Sequence, residues 1–359
     1  MRIEKEICQQ LVMTGVKYKN NHPGGISAVV QYWSKFFDEL QYYPTFKEGS
    51  KLSKLCIFGG CVTKLWFKIH FDKKVRILHA HTAAGTDFKR TTLVVKMAKM
   101  AGLKVILHSH ASSFKDYFTK SSDTEKSKIL DVLTMADVLI VLSNSWRVFF
   151  TGIGVPEERI VILHNIAAYP TLKDVEKHDN KVRLLFMGEI GERKGIFDLL
   201  RAISEHKQEL EEKIELRIGG NKQEEKLMSV INGNSLHSFV KFEGFVTGEK
   251  KIELLNWANV YVLPSFNEGL PISILEAMSY KMPIVSTPVG GIPEVVDGSN
   301  GVLVTPGASD EIYEAIYKYV DNPELIKKHG NTSFEKVQTY MPDYVISDLK
   351  KIYERLLSE

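Results

Sequence analysis

Between residues 260 and 296 the chain reads strand, loop, helix, strand, and that order commits this stretch to a parallel sheet. Val260-Tyr261-Val262-Leu263 is a short apolar run stopped by Pro264, the pattern of a strand covered on both faces. A polar loop follows from Ser265 to Gly269. Pro271 is expected to be the first residue of a helix, where its missing N–H costs nothing. The helix should run to about Lys281, and Pro283-Ile284-Val285-Ser286 restarts as a strand. The loop therefore lies outside the carboxyl end of the first strand, where open α/β sheets bind ligands.

The rest of the chain repeats the alternation. Residues 1 to about 165 offer strands at 10–13, 55–58, 77–79, 105–108, 138–142 and 160–163. Helices are expected at 25–40, 88–101, 124–135 and 144–151, and no element is assigned over most of 41–74. A polar segment, 168–180, has charge, one proline and no period, and reads as a linker. Beyond it come strands at 183–187, 215–218, 240–242, 260–263 and 284–286, with helices at 195–204, 222–231 and 249–257. Ser309 should cap a further helix, and 344–357 is amphipathic and helical. Two doubly wound α/β domains account for this pattern.

Two carboxylates flank the start of the 271–281 helix, Glu268 in the loop and Glu276 within the helix. The amides of Gly269 and Leu270 lead into the helix N-terminus, a ready site for an anionic phosphate. Carboxylates accept hydrogen bonds from hydroxyls, so this set suits a phosphate ester flanked by sugars. A surface helix with an acidic first turn would account equally well for either glutamate taken singly. Upstream, residues 187–195 (Met-Gly-Glu-Ile-Gly-Glu-Arg-Lys-Gly) follow a strand and open a helix, and Gly188 frees the backbone to approach a ligand. Arg193 could bind a diphosphate bidentately and Lys194 could add a point charge. Taken alone, an Arg-Lys pair is more often an exposed basic turn.

The string from Glu268-Gly269-Leu270-Pro271 through Leu275-Glu276-Ala277-Met278, Pro283-Ile284-Val285, Gly290-Gly291 and Pro293-Glu294 resembles the donor-site signature of retaining glycosyltransferases of family 4. In that family two glutamates are separated by seven intervening residues, as here, and an Arg/Lys pair before glycine holds the diphosphate. The resemblance is strongest from Val182 to Val304. It implies the GT-B fold, two Rossmann-like domains facing across a cleft. An acceptor-side domain would take residues 1–168 together with a C-terminal helix at about 340–359, and a nucleotide-sugar domain would take 169–339. It implies that Glu268 grips sugar hydroxyls, that Glu276 takes the ribose hydroxyls, and that Gly24 and Gly25, after the first strand, reach the donor or acceptor. His110 resembles the histidine placed near the sugar. The implied activity is retaining transfer of a hexosyl unit from a nucleotide diphosphate sugar, UDP- or GDP-linked, to a saccharide or lipid-linked saccharide, with no metal required. Surface polysaccharide or glycolipid biosynthesis is the implied setting.

Other readings were weighed. His79/His81 and His108/His110 each place two rings on one side of a strand, which opens a zinc hydrolase as an alternative. Zinc needs a third and fourth ligand, and no acidic ligand string accompanies the pairs. A nucleotide-sugar epimerase or hydrolase, and a non-catalytic nucleotide-sugar-binding subunit, share the same architecture. Net charge is only +3 and a quarter of residues are charged, so nothing argues for nucleic acid. Three unspaced cysteines suit reduced thiols, and with no run of about 18 apolar residues and no signal-type leader the expected location is cytoplasmic. The resemblance implies the inner face of the cytoplasmic membrane with peripheral association as the setting, and separately Lys64-Leu65-Trp66-Phe67-Lys68-Ile69-His70-Phe71 mixes aromatics and cations as a surface-lying helix does. A buried helix flank would explain the same residues.

Overall fold

The structure is a computed structural model and describes residues 1–18, 25–110, 112–173 and 181–359. It divides into two compact units, Met1–Asn165 with Pro342–Glu359, and Ile166–Met341.

The first unit holds six parallel strands: β1 Leu11–Val16, β2 Tyr42–Phe46, β3 Ile77–Thr82, β4 Lys104–Ser109, β5 Val138–Val141 and β6 Ile160–Ile162. Their order is β2-β1-β3-β4-β5-β6, so the winding reverses between β1 and β3. Strands β3 and β5 are buried throughout, because helices cover both faces of a wound parallel sheet. Phe88, Phe114, Phe150, Leu103 and Leu139 belong to one continuous core on the sheet. Each such side chain contributes about 1.5–3 kcal/mol by leaving water.

Two expectations fail here. Residues 55–58 are not a strand; they lie in a 21-residue helix, Lys51–Phe71. Ser50 caps it by accepting from the Ser53 amide, and Cys61, Leu65 and Ile69 recur every fourth residue to bury one stripe. Leu-Cys-Ile-Phe looked like a strand because it is a short apolar run, and such runs do not declare their period. The strand of this region is β2, at the sheet edge, where Pro44 removes no interior ladder bond. The helix expected over 25–40 stops at Trp33, continues as a 3-10 turn over Ser34–Phe36, and gives way to a bridge between Ile3 and Phe37.

The second unit also has six parallel strands: β7 Val182–Met187, β8 Ile214–Gly219, β9 Val240–Phe242, β10 Val260–Leu263, β11 Ile284–Ser286 and β12 Gly301–Leu303. Their order, β12-β11-β10-β7-β8-β9, is the Rossmann winding, and the reversal falls between β7 and β10. Strand β12 and the helix Pro323–Val337 were not foreseen. Pro271 sits in the cap position, with ψ 121°, one residue before the helix Ile272–Ser279. Likewise Ala308, not Ser309, holds the cap position of the Ser309–Asp321 helix, whose Glu311 accepts from the Thr305 amide at 2.6 Å.

Candidate active site

The reversal point of the second sheet brings the loops after β7 and β10 side by side. Gly195 has φ +70°, and a Cβ there would stand 2.0 Å from the Pro264 carbonyl oxygen, so only glycine lets the loops close to this distance. The Phe266 amide donates to the Arg193 carbonyl at 2.9 Å and joins them. The β10 loop is fixed from its other side as well. Thr287 Oγ1 donates to the Ser265 carbonyl at 2.5 Å, and the Gly291 amide donates to the Gly269 carbonyl at 2.6 Å. Gly290, at φ +58°, lies against the Glu268 carbonyl, which a Cβ would meet at 2.0 Å.

This double clamp leaves Glu268 buried with its carboxylate aimed at the β7 loop. Lys194 forms an ion pair with Glu268 Oε1, and Ser265 Oγ donates to the same oxygen at 2.7 Å. Arg193 donates to the Asn267 carbonyl at 3.2 Å, and its guanidinium lies 3.9 Å from Glu268 Oε2 and 3.8 Å from Glu189. Arg193, Lys194, Glu268, Gly269 and Leu270 are thus gathered by two loops, with Gly188 at the turn that opens the first. Gly188 donates its amide to Gly219 at 3.0 Å. The two cations face two carboxylates, Glu268 and Glu189, and the Ile272–Ser279 helix starts alongside.

Glu276, also buried, is held by a different partner: Lys251 Nζ lies 2.5 Å from its Oε1. Ser265, Thr287 and Lys251 were not singled out as site residues in the sequence. Ser265, three residues before Glu268 in a strand-end loop, was findable. Lys251 was not, since nothing local ties a lysine in the Gly248–Trp257 helix to a glutamate 25 positions on.

The expected histidine, His110, belongs to the first unit. It follows β4, donating its amide to the Thr82 carbonyl at 2.9 Å. Register pairs His81 with His108, so His79, His81, His108 and His110 gather on one face of the sheet. They bond to one another: His81 Nδ1 to His110 Nε2 at 2.8 Å, and His79 Nε2 to His108 Nδ1 at 3.2 Å. Tyr353, from the C-terminal helix Pro342–Ser358, closes the array on His79 Nδ1 at 2.7 Å. Burial lowers the pKa of all four, to about 3 for His79 and His110, so the rings are neutral. Trp33 stands over three of them at 5.5–5.8 Å. His81 Nε2 and His108 Nε2 have no hydrogen-bond partner among the described residues.

His79, His81 and His108 offer nitrogens within 4.8 Å of one another, the one such group of three among the described residues. A tetrahedral zinc would draw its ligand nitrogens to about 3.3 Å apart and needs a fourth donor. Of the glycine pair after β1, Gly25 opens the Gly25–Trp33 helix with open space beside its Cα, and Gly24 lies outside the described residues.

Two loops pinned by glycines at the reversal point of a Rossmann-type sheet thus hold two cations against a buried carboxylate. Residues 181–322 match the model of the family described as "Glycosyl transferases group 1", and the two parallel-sheet α/β units have the fold of GT-B structures. It is 28% identical over 257 residues to the uncharacterized glycosyltransferase MJ1069 of Methanocaldococcus jannaschii, covering 69% of this chain and 65% of that protein. It is 27% identical over 234 residues to the amylovoran biosynthesis glycosyltransferase AmsK of Erwinia amylovora, covering 61% and 56%. The chain therefore spans less than two thirds of the length of these relatives. Its fold is similar to that of Anabaena Alr3699/HepE solved in complex with UDP and glucose, with TM-score 0.74 at 17% identity, covering 98% of this chain and 100% of that one.

Proposed function

We propose that this chain is a retaining glycosyltransferase that moves a hexosyl unit from a nucleotide diphosphate sugar to an acceptor hydroxyl. The observation that carries the reading is the Arg193–Lys194–Glu268–Ser265 constellation at the β7/β10 reversal point. In transfer, the bond between the anomeric carbon and the diphosphate oxygen breaks and the electron pair leaves with the diphosphate. A new bond forms to the acceptor oxygen, whose proton is given up. Arg193, Lys194 and the start of the Ile272–Ser279 helix stabilise the charge that develops on the leaving group, the work a divalent metal does elsewhere. On this reading no metal is required. Glu268 holds sugar hydroxyls: one of its oxygens is already engaged by Lys194 and Ser265, which suits gripping and not attack. Glu276 takes the ribose hydroxyls, and His110 contacts the sugar.

A UDP-sugar is the donor favoured by the resemblance to a fold solved with UDP and glucose, and a GDP-sugar is the other candidate. A saccharide or lipid-linked saccharide acceptor in surface polysaccharide synthesis is favoured by the likeness to an amylovoran biosynthesis protein. Among the described residues no helix is long and apolar enough to cross a membrane.

The test is thermal unfolding with UDP, GDP, ADP and their sugar conjugates, with and without EDTA. A ligand at a hundred times its dissociation constant adds about 2.7 kcal/mol. Stabilisation by one nucleotide family, indifferent to EDTA, is expected. Indifference to every nucleotide, with a large loss of stability in EDTA, would instead point to the histidine cluster and end the donor-site reading. Release of free sugar at the same rate with and without acceptor would make the protein a hydrolase.

A further inference from the structure

The helix Lys51–Phe71 carries apolar side chains on its exposed side as well as on its buried stripe. Its buried residues are Cys61, Leu65 and Ile69. Its outer stripe should carry charge, yet it presents Leu52, Leu55, Trp66, Phe67 and Phe71, exposed by 70, 68, 41, 54 and 71%. The three aromatic rings form a cluster on the surface, with centroids 5.1, 5.8 and 6.1 Å apart. Scattered exposed apolar residues are ordinary; a continuous patch on one helix marks an interaction surface.

The charge around the patch identifies what it meets. Residues 47–76 hold seven lysines and Arg76 against Glu48 and Asp72, a net charge of +6 in a chain whose total is +3. The rest of the chain therefore carries −3, while within the segment Lys54 pairs with Glu48, Lys68 with Asp72, and Arg76 donates to the Leu357 carbonyl. Lys64 and Lys68 lie one turn apart beside Phe67 and Phe71, lining a recess with Tyr43 and Asp72. Lys73 and Lys74, both exposed, come directly after the helix. Rings on the outer stripe with lysines along its flank are the arrangement that puts apolar groups at the acyl boundary and ammonium groups among lipid phosphates. A second copy would bring +6 against +6, so self-association through this face is opposed by its own charge.

We propose that the Lys51–Phe71 helix docks flat on an anionic lipid surface, with Leu52, Leu55, Trp66, Phe67 and Phe71 inserted and Lys64, Lys73 and Lys74 on the headgroups. This holds independently of the donor-site reading. The test is co-sedimentation of the full chain with sucrose-loaded vesicles, phosphatidylcholine alone against a 70:30 mixture with phosphatidylglycerol, in low and high salt. Binding should need phosphatidylglycerol and fall at least tenfold in high salt. The triple variant Trp66→Ser/Phe67→Ser/Phe71→Ser and the variant Lys64→Glu/Lys73→Glu/Lys74→Glu should each lose at least tenfold. Far-UV circular dichroism and the melting temperature of each variant report that it is folded. Stabilisation by nucleotide, read on the same samples, separates failure here from failure of the transferase reading. A wild-type chain that stays in the supernatant with anionic vesicles, or a folded triple variant that binds as well as wild type, overturns the proposal. Self-association of the wild type without lipid, abolished by the triple variant, overturns it in favour of a second copy.

Discussion

The two units share an architecture and spend their strand ends differently. Both are six-stranded parallel sheets with one reversal of winding. In the second, the loops at the reversal carry full charges, Arg193, Lys194 and Glu268, balanced against one another and held by two glycines that admit no side chain. In the first, the strand ends beside the reversal carry four histidines kept neutral by burial. The contrast shows how one scaffold makes a charged cluster or an uncharged polar layer, according to whether its loops bring compensating charges together. A buried charge survives only when paired, whereas a histidine can shed its proton instead.

The largest test of this contrast is chemical. On the proposed transferase reading, Glu268→Ala and Arg193→Ala should each cut transfer by about a thousandfold while circular dichroism stays unchanged, because each would remove a charged contact to the donor. Normal turnover in either would dissolve the distinction between the units. Gly195→Ala comes next. Its Cβ would lie 2.0 Å from a carbonyl oxygen, with φ at +70°, and should destabilise the second unit by about 2–4 kcal/mol in urea unfolding. A change below 0.5 kcal/mol would show that the loops are not pinned there.

Acidification probes the first unit. A histidine at 6.5 in the unfolded chain and about 3 in the folded one binds its proton only when unfolded between those values. Stability is therefore complete above about pH 6.5 and falls as the pH drops, by about 1.4 kcal/mol per unit for each such ring. Hydrogen exchange from pH 7 to 5 should show β3 and β4 losing protection before β7 and β10. Equal loss in both sheets would contradict the neutral histidine layer. The smallest effect belongs to Lys251, whose pairing with Glu276 is partly open to solvent. Lys251→Met should raise the donor KM several-fold with kcat little changed, and Lys251→Arg should restore it, in keeping with about 1 kcal/mol for such a pair.

What could be read in advance follows the range of the forces involved. Strands β9, β10 and β11 were placed to the residue, since an apolar run ended by proline, glycine or charge is a local signal. Glu268, Glu276, Arg193 and Lys194 stood out for the same reason: the turn, the helix start and their spacing lie within short strings. The run at 55–58 failed because four apolar residues fit a strand or a helix equally, and only the burial of Cys61, Leu65 and Ile69 against the sheet decided for a helix.

By itself, then, the sequence determined two wound α/β blocks and the chemical character of the loop after β10. Periodicity and turn chemistry act over a few residues and need no partner. The tertiary structure alone decided that Lys194 and Ser265 share one oxygen of Glu268, that Lys251 answers Glu276, and that four histidines from two strands stack into one neutral layer. Each depends on strand register and on how closely two loops approach, and those distances are fixed by packing between segments far apart in the chain.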